Sequence, residues 1–454
     1  MTADLLLTGL GDARRDARGT LLLERMVAHE SACLRRVAHS RADEVAFSRL
    51  LASEHLDQDL LRTRLRDGTA RRCFGRAHVL VLQDTTEINY QHHARSKRGL
   101  GPVGNGRDQG LFVHGLLAVD AEGGGCLGLV DAMPWVRTPR VGDHRTLPVE
   151  DKESRRWLLG AAMAATLTGM ARQVTVIGDR ESDLYEIFAR RPHERCHVLV
   201  RACRNRTLAG GRRLYERLDA LPACLGYQVA VPPRAGRPGH SARVLVRYGE
   251  VTIPRPRRSR EAVREVALSA VTVSEEGTAS QRLCWRLLTT HAVTSPEMAV
   301  RVVDWYRQRW HIEQLFRVLK RQGLDLEASQ SVHAGSLCKL AVLSAHAAAR
   351  IHQLVLARDG GTPVPAGELF DPSELATMAA LIPQYEGKTE KQKNPHPPET
   401  LAWCAWIIAR LGGWKGYRHS EGPPGPLTMQ RGYERFAAIH EGYKLAAAQN
   451  VCKP

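Results

Sequence analysis

Residues 301–323 read RVVDWYRQRWHIEQLFRVLKRQG. They follow Ser295, Pro296 and Glu297: a hydroxyl that can cap, a proline suited to the first helical position, and an acid in the first turn. Gly323 closes the run, a residue at home in the left-handed conformation that ends helices. The pattern predicts one long helix. At about 100° per residue, Trp305, Ile312, Leu315, Phe316 and Leu319 form an apolar flank, and Tyr306, Arg309, Glu313 and Lys320 fall within an arc of about 60° on another side. A carboxylate between two cations and beside a phenol has two readings. It is a solvated salt-bridge ladder, or it is one part of a site whose other parts lie elsewhere in the chain.

Two candidates for those other parts stand upstream. Residues 78–83 (HVLVLQ) are followed by Asp84, Thr85 and Thr86, and residues 174–178 (VTVIG) by Asp179, Arg180, Glu181 and Ser182. Short aliphatic, β-branched runs bounded by turn residues read as buried strands. A carboxylate at the end of such a strand is costly unless it meets a cation or a set of donors. Convergence of Asp84, Asp179 and Glu313 would make a site for a hard divalent cation, because Mg²⁺ takes oxygen ligands and keeps open positions.

The composition supports an anionic partner. The chain has 454 residues, 65 Lys and Arg against 48 Asp and Glu, and a formal charge of +17. Nucleic acid is the usual polyanion for such a protein. Its length allows two to four domains. The ten cysteines are scattered with no C-x-x-C, which reads as reduced thiols rather than a disulfide or zinc framework. Neither a signal peptide nor an apolar run of about 20 residues is read, so the expectation is a cytoplasmic protein without a membrane partner.

In chain order, residues 1–70 read as basic helices, with Asp12 as a cap for the segment carrying Arg14 and Arg18. Residues 91–109 (QHHARSKRGLGPVGNGRDQ) set Arg95, Lys97 and Arg98 beside a glycine-rich loop that lets backbone amides approach phosphate. Residues 111–120 and 126–133 read as two further strands. Residues 135–151 form a second basic loop with Arg137, Arg140, His144 and Arg145. Residues 152–169 read as a helix burying Leu158, Ala161, Ala162 and Ala165, and residues 182–190 as another. Arg201, Arg204 and Arg206 cluster after the next strand as a phosphate clamp. Residues 207–290 turn rich in Pro, Arg and short alternating stretches, the texture of a β-rich insert. Residues 336–356 are an apolar core helix, and more helices follow residue 365.

The Y-x₂-R-x₃-E-x₆-K spacing of Tyr306, Arg309, Glu313 and Lys320, with two Asp-ended strands upstream, resembles the insertion-sequence-four family of DDE transposases. LGDARRDAR near the start, the GLGPVGNG loop, Lys152-Glu153-Ser154 and the ARLGG stretch at residues 409–413 are similar to that family as well. The resemblance implies an α/β (α+β) multidomain fold, with an RNase H-like mixed sheet flanked by helices. It divides the chain into an N-terminal helical DNA-binding domain (1–70), a first part of the catalytic core (71–206), a β-rich insertion (207–290), a second part bearing the Y-R-E-K helix (291–358), and a C-terminal helical dimerisation domain (365–454). It implies a cut-and-paste transposase that binds inverted repeats and cleaves them through an end hairpin before joining 3′ ends to target DNA. Asp84, Asp179 and Glu313 would be the catalytic and metal-holding acids, for Mg²⁺ or Mn²⁺ in its place. Tyr306, Arg309, Lys320, Arg180, Arg201, Arg95, Lys97 and Arg98 would contact DNA. Trp285 would stack a flipped base and Trp310 would lie near the DNA end, although each also reads as a core residue. The implied partners are double-stranded DNA and a second copy in a synaptic complex, in a bacterial, nucleoid-associated setting. The alternatives are an idle transposase-derived DNA-binding or regulatory protein, or another metal-dependent nuclease of the same fold.

Overall fold

The structure is a computed structural model, and it describes residues 6–138, 147–231, 239–276, 283–320, 323–417 and 421–451. The fold is mixed α/β, with ten strands and thirteen α-helices among the described residues. The chain divides into two compact units. The first holds Met1–Phe74, Thr85–Arg140 and His311–Pro454, and the second Gly75–Asp84 and Val141–Trp310.

The first unit begins with four helices, α1 (Ala13–Ala28), α2 (Leu34–Val37), α3 (Arg41–Ala52) and α4 (Gln58–Cys73). Asp12 caps α1 as its sequence predicts, accepting from the Arg14 amide at 2.7 Å, and Leu22, Leu23 and Met26 form its buried stripe. The strand β1 (His78–Asn89) leaves the second unit at Asp84 and finishes in the first. β2 (Gly101–Val103), β3 (Asp108–Asp120) and β4 (Cys126–Trp135) follow, with β2 and β4 both antiparallel to β3. α4 is fastened to β4 by a two-pronged pair, Arg62 Nε and Nη2 to the Asp131 carboxylate at 2.8 and 2.7 Å.

The second unit carries α5 (Arg155–Ala165), β5 (Gln173–Gly178), α6 (Tyr185–Ala189), β6 (Cys196–Arg201), α7 (Leu214–Asp219), β7 (Leu225–Val231), β8 (His240–Pro254), β9 (Glu265–Glu275), β10 (Cys284–Thr289) and α8 (Pro296–Gln308). Its strands run in the order β1-β5-β6-β10-β9-β8-β7. The first two pairings are parallel and the rest antiparallel. The parallel strands are buried along nearly their whole length, as expected when both faces of a sheet are covered. β7 to β10 lie between residues 225 and 289, so the described part of the stretch with the Pro/Arg texture is strand-rich.

α9 (Trp310–Lys320) follows α8. The first unit then holds α10 (Ala334–Ala357), α11 (Pro372–Tyr385), α12 (Leu401–Leu411) and α13 (Pro426–Val451). α10 is the axis of this unit, packed by α1, α3, α4, β4, α12 and α13. On length and composition alone it is apolar enough to cross a membrane, a property the expectation of no such run did not anticipate. It is 94% buried inside the protein, which is the burial of a core helix. Glu30, just past α1, has a left-handed backbone (φ 43°) and a carboxyl group that is buried with no hydrogen-bond partner.

Four expectations need correction. The helix expected over 301–323 is two, because the Arg309 amide turns back to Tyr306 O at 3.1 Å and closes α8 in a tight turn. Asp84 does not end its strand, since β1 runs on through β-branched Thr85, Thr86 and Ile88 in an alternating half-buried pattern. The inward face of α5 is Trp157, Gly160, Ala161 and Ala164, with Ala162 exposed, because the large Trp157 ring sets the rotation. The helix expected over 182–190 shrinks to α6, after a 3₁₀ turn at Arg180–Ser182.

Candidate active site

The site starts from strand register. β1 and β5 are adjacent and parallel, with Leu82 opposite Ile177 as the last paired residues. Two residues further along stand Asp84, still within β1, and Asp179, just past the end of β5, so the two acids lie at the same level along neighbouring backbones, whose spacing in a sheet is about 4.8 Å. The carboxyl ends of parallel strands are where open α/β sheets bind ligands. Asp179 also shapes its own turn, accepting from the Glu181 amide at 2.8 Å.

Cations and a phenol surround this pair. Arg309 Nη1 donates to Asp84 Oδ2 at 3.0 Å, and both side chains are more than four-fifths buried. Tyr306, 5% exposed, lies in the electrostatic reach of Arg309, Arg201 and Asp179. Burial raises its phenol pKa, so it stays protonated at neutral pH. Burial lowers the pKa of Arg201, with Arg180 adding in the same direction. Arg201 is also anchored through Nη2 to the Cys284 carbonyl at 2.9 Å. Trp285 is half-buried and meets the Tyr306 ring edge-on, with centroids 5.4 Å apart.

The second unit thus brings together Asp84, Asp179, Arg201, Tyr306, Arg309 and Trp285, with Arg180 exposed beside Asp179. Trp310 is 45% exposed, which removes the core reading for it, and half-buried Trp285 is not a core residue either. Glu313 and Lys320 stand on α9 in the first unit, both half-buried, while Ile312, Leu315, Phe316, Val318 and Leu319 supply the buried face of that helix. Phe316 and Ile312 lie over Gly115 of β3, where an added Cβ would come within 3.1 Å of the Phe316 ring.

Arg95 and Arg98 are exposed on the glycine-rich loop of the first unit. Lys97 is not available to phosphate as expected. It is buried, its Nζ donates to the carbonyls of Ser329 and Ser331, and it lies 5.2 Å from the Tyr90 ring centroid. Arg206, placed with the phosphate clamp on sequence, is likewise a strut, paired with Asp183. Asp183 is 1% exposed and accepts in addition from the amides of Cys203 and Arg204. Sequence reasoning missed it, and the signal was an acid four residues beyond Asp179 facing an arginine-rich turn. Arg140, His144 and Arg145 of the second basic loop lie outside the described residues. At the other end of the chain a groove is lined by Arg14, Arg15, Arg18, Arg41 and Arg49.

Residues 159–333 match the family described as Transposase DDE domain. The match covers less than half of the chain. It supports a DNA transposase. The transposase-like segment contains Asp179, Arg201, Trp285, Tyr306, Arg309, Glu313 and Lys320, and it begins downstream of Asp84. The chain is also similar to the piggyBac transposase of a synaptic complex with hairpin DNA, at 10% identity, covering 92% of this chain and 74% of that one. The TM-score is 0.35, too low to establish a shared fold.

DDE transposases generally use divalent metal ions. Among the described residues no group of three His, Cys, Asp or Glu side chains stands together as a metal site. Asp84 and Asp179 are nevertheless oxygen donors at matched strand positions, the donor type a hard divalent cation takes. They fit as two of its ligands.

Proposed function

We propose that this chain is a cut-and-paste DNA transposase of the insertion-sequence-four type, built on an RNase H-like core. It binds the inverted repeats at transposon ends, cleaves them through an end hairpin, and joins the freed 3′ ends to target DNA. The observation that carries the reading is the level pair Asp84 and Asp179, with Arg309 on the first and the Tyr306–Arg201 pair beside the second. Asp84 and Asp179 would hold Mg²⁺, or Mn²⁺ in its place, and the Y-R-E-K spacing assigns Glu313 as the third acid. A divalent ion supplies charge that activates an attacking water or 3′-hydroxyl and steadies the leaving oxygen.

The side chains do the rest. Arg309 balances Asp84, and its planar fork suits a phosphate when a cation takes over that carboxylate. Tyr306 lies beside two guanidinium groups, which can only donate, and its O–H would donate to a phosphate oxygen. Lys320, Arg180, Arg95 and Arg98 add phosphate contacts along the strand, and Trp310 lies near the cut end. Trp285 offers an aromatic face to a base that leaves the stack. The arginine groove of α1 and α3 belongs to the end-reading domain, and the C-terminal helices pair two copies in the synaptic complex. The working site is the bacterial cytoplasm, at the nucleoid.

The test is Asp84→Asn. Strand cleavage of DNA carrying the repeats that flank the gene is expected to vanish, while retention of the same DNA on the protein stays near wild type. Cleavage that survives the substitution, or that proceeds without a divalent ion, would overturn the reading.

A further inference from the structure

Beneath the candidate site the second unit contains an imidazole network that the proposed chemistry does not use. His78 on β1 and His291 just past β10 both place Nε2 at 2.7 Å from the Thr175 hydroxyl on β5. His291 is 4% exposed and stacks on His197 of β6 at 3.8 Å between centroids. The Trp305 ring of α8 closes the network, edge-on to His78 at 4.6 Å and tilted against His291 at 4.9 Å. A threonine hydroxyl has one hydrogen and two lone pairs. At least one of the two imidazoles therefore carries its proton on Nε2, and the three groups form one directed unit.

Its members are the elements that build the site. Thr175 lies on β5 four residues before Asp179, which follows that strand, and His78 lies on β1 six residues before Asp84. Trp305 immediately precedes Tyr306, and Arg309 follows within one turn. We infer that the Thr175-bridged imidazole pair, gripped by Trp305, is a positioning device that sets α8, and with it Tyr306 and Arg309, against the two acid-bearing strands. This rests on reading Tyr306 and Arg309 as phosphate-gripping groups.

The network works with neutral rings. The charged groups facing it are cations: Arg191, whose Nη2 lies 3.3 Å from His197 Nε2, and Arg301 of α8, over the Trp305 ring. His197 also meets the Thr290 hydroxyl, 3.4 Å away. Burial comes first in pushing His291 down to about 2, followed by the His197 and His78 rings and then by Arg191 and Arg301; burial and then Arg191 push His197 down to about 4.

The test uses the full chain with Thr175→Val, which keeps the shape and deletes the hydroxyl, and Thr175→Ser, which restores it. Amide exchange over residues 296–308 and nicking of supercoiled plasmid in Mn²⁺ are measured together. The valine variant is expected to exchange these amides about tenfold faster and to lose about tenfold in kcat, with KM for plasmid nearly unchanged, because α8 is misplaced rather than missing. The serine variant should recover both. If Thr175→Val does not fold, Trp305→Leu serves in its place, with the same split expected. Unchanged exchange over α8, or nicking, plasmid retention and melting temperature falling in step in both threonine variants, would overturn the inference. A wild-type protein that does not nick plasmid would sink the transposase reading instead, and the exchange arm alone would then decide the positioning role.

Discussion

Asp183 shows how a single side chain fixes the frame of the site. The turns after β5 and β6 both depend on it: its carboxylate takes two amides and the Arg206 guanidinium from the second turn while its own backbone belongs to the first. Removing one partner of a buried pair leaves the other charge stranded, so Asp183→Ala is expected to cost about 3–5 kcal/mol of stability. Urea unfolding checks this, and a cost under about 1 kcal/mol would mean that water already screens Arg206. The same pair marks the limit of reading residues from sequence. Asp84, Asp179, Tyr306 and Arg309 could be singled out because an acid after an apolar run and spacing along a helix are local patterns. The burial of Lys97 and Arg206 was not, since it depends on carbonyls and a carboxylate that the fold brings up from elsewhere. Nothing in the run QHHARSKRGLG distinguishes the one cation that turns inward.

At the scale of elements, the strands and helices were mostly legible and their boundaries were not. β1 was recognised from six buried residues, but its continuation through Asp84 depends on pairing with β3 in the first unit and on half-burial, which a six-residue apolar run does not announce. The long helix was recognised as helical throughout. Its interruption at Arg309 is a backbone turn that no helix-breaking residue signals. Strand β10 carries the sharpest functional consequence. Its Trp285 is half-buried and touches Tyr306, so it has a face to offer without being part of the core. Trp285→Ala is expected to slow hairpin formation far more than first-strand nicking, because aromatic stacking returns about 1–3 kcal/mol only when a base is flipped. The two steps are separated on uncut and pre-nicked DNA ends. Equal loss in both, with a large fall in melting temperature, would return Trp285 to a packing role.

For the whole molecule, the buried imidazoles set the response to acid. His197 and His291 in the second unit, and His311 and His352 in the first, are held well below the ordinary value of 6.5 by burial, at about 4, 2, 4 and 3. The unfolded chain takes up their protons below pH 6.5 and the folded chain does not, so their contribution is complete above that pH and is lost as the pH falls towards 4. Glu30 works the other way. Burial lifts its carboxyl to about 9, so its contribution is full below the ordinary 4.5 and fades as pH rises through 9. Melting temperature followed against pH is therefore expected to decline steadily on the acid side from 6.5, and Glu30→Gln should flatten the alkaline side. An acid limb that sets in only below pH 4 would contradict the burial of these rings. The division into two units has a further consequence, in time rather than in space. The chain enters the first unit, leaves it at residue 75, returns at 85, leaves again at 141 and comes back for good at 311. α4 can pack on β4, and α1 on α3, early, but the faces of these helices that meet α10 wait for a helix synthesised more than 250 residues later. At ribosomal speeds of about 5–20 residues per second that wait lasts tens of seconds. The strand-rich unit, whose last element is α8, can close before them, so the middle of this chain is placed to fold ahead of its beginning.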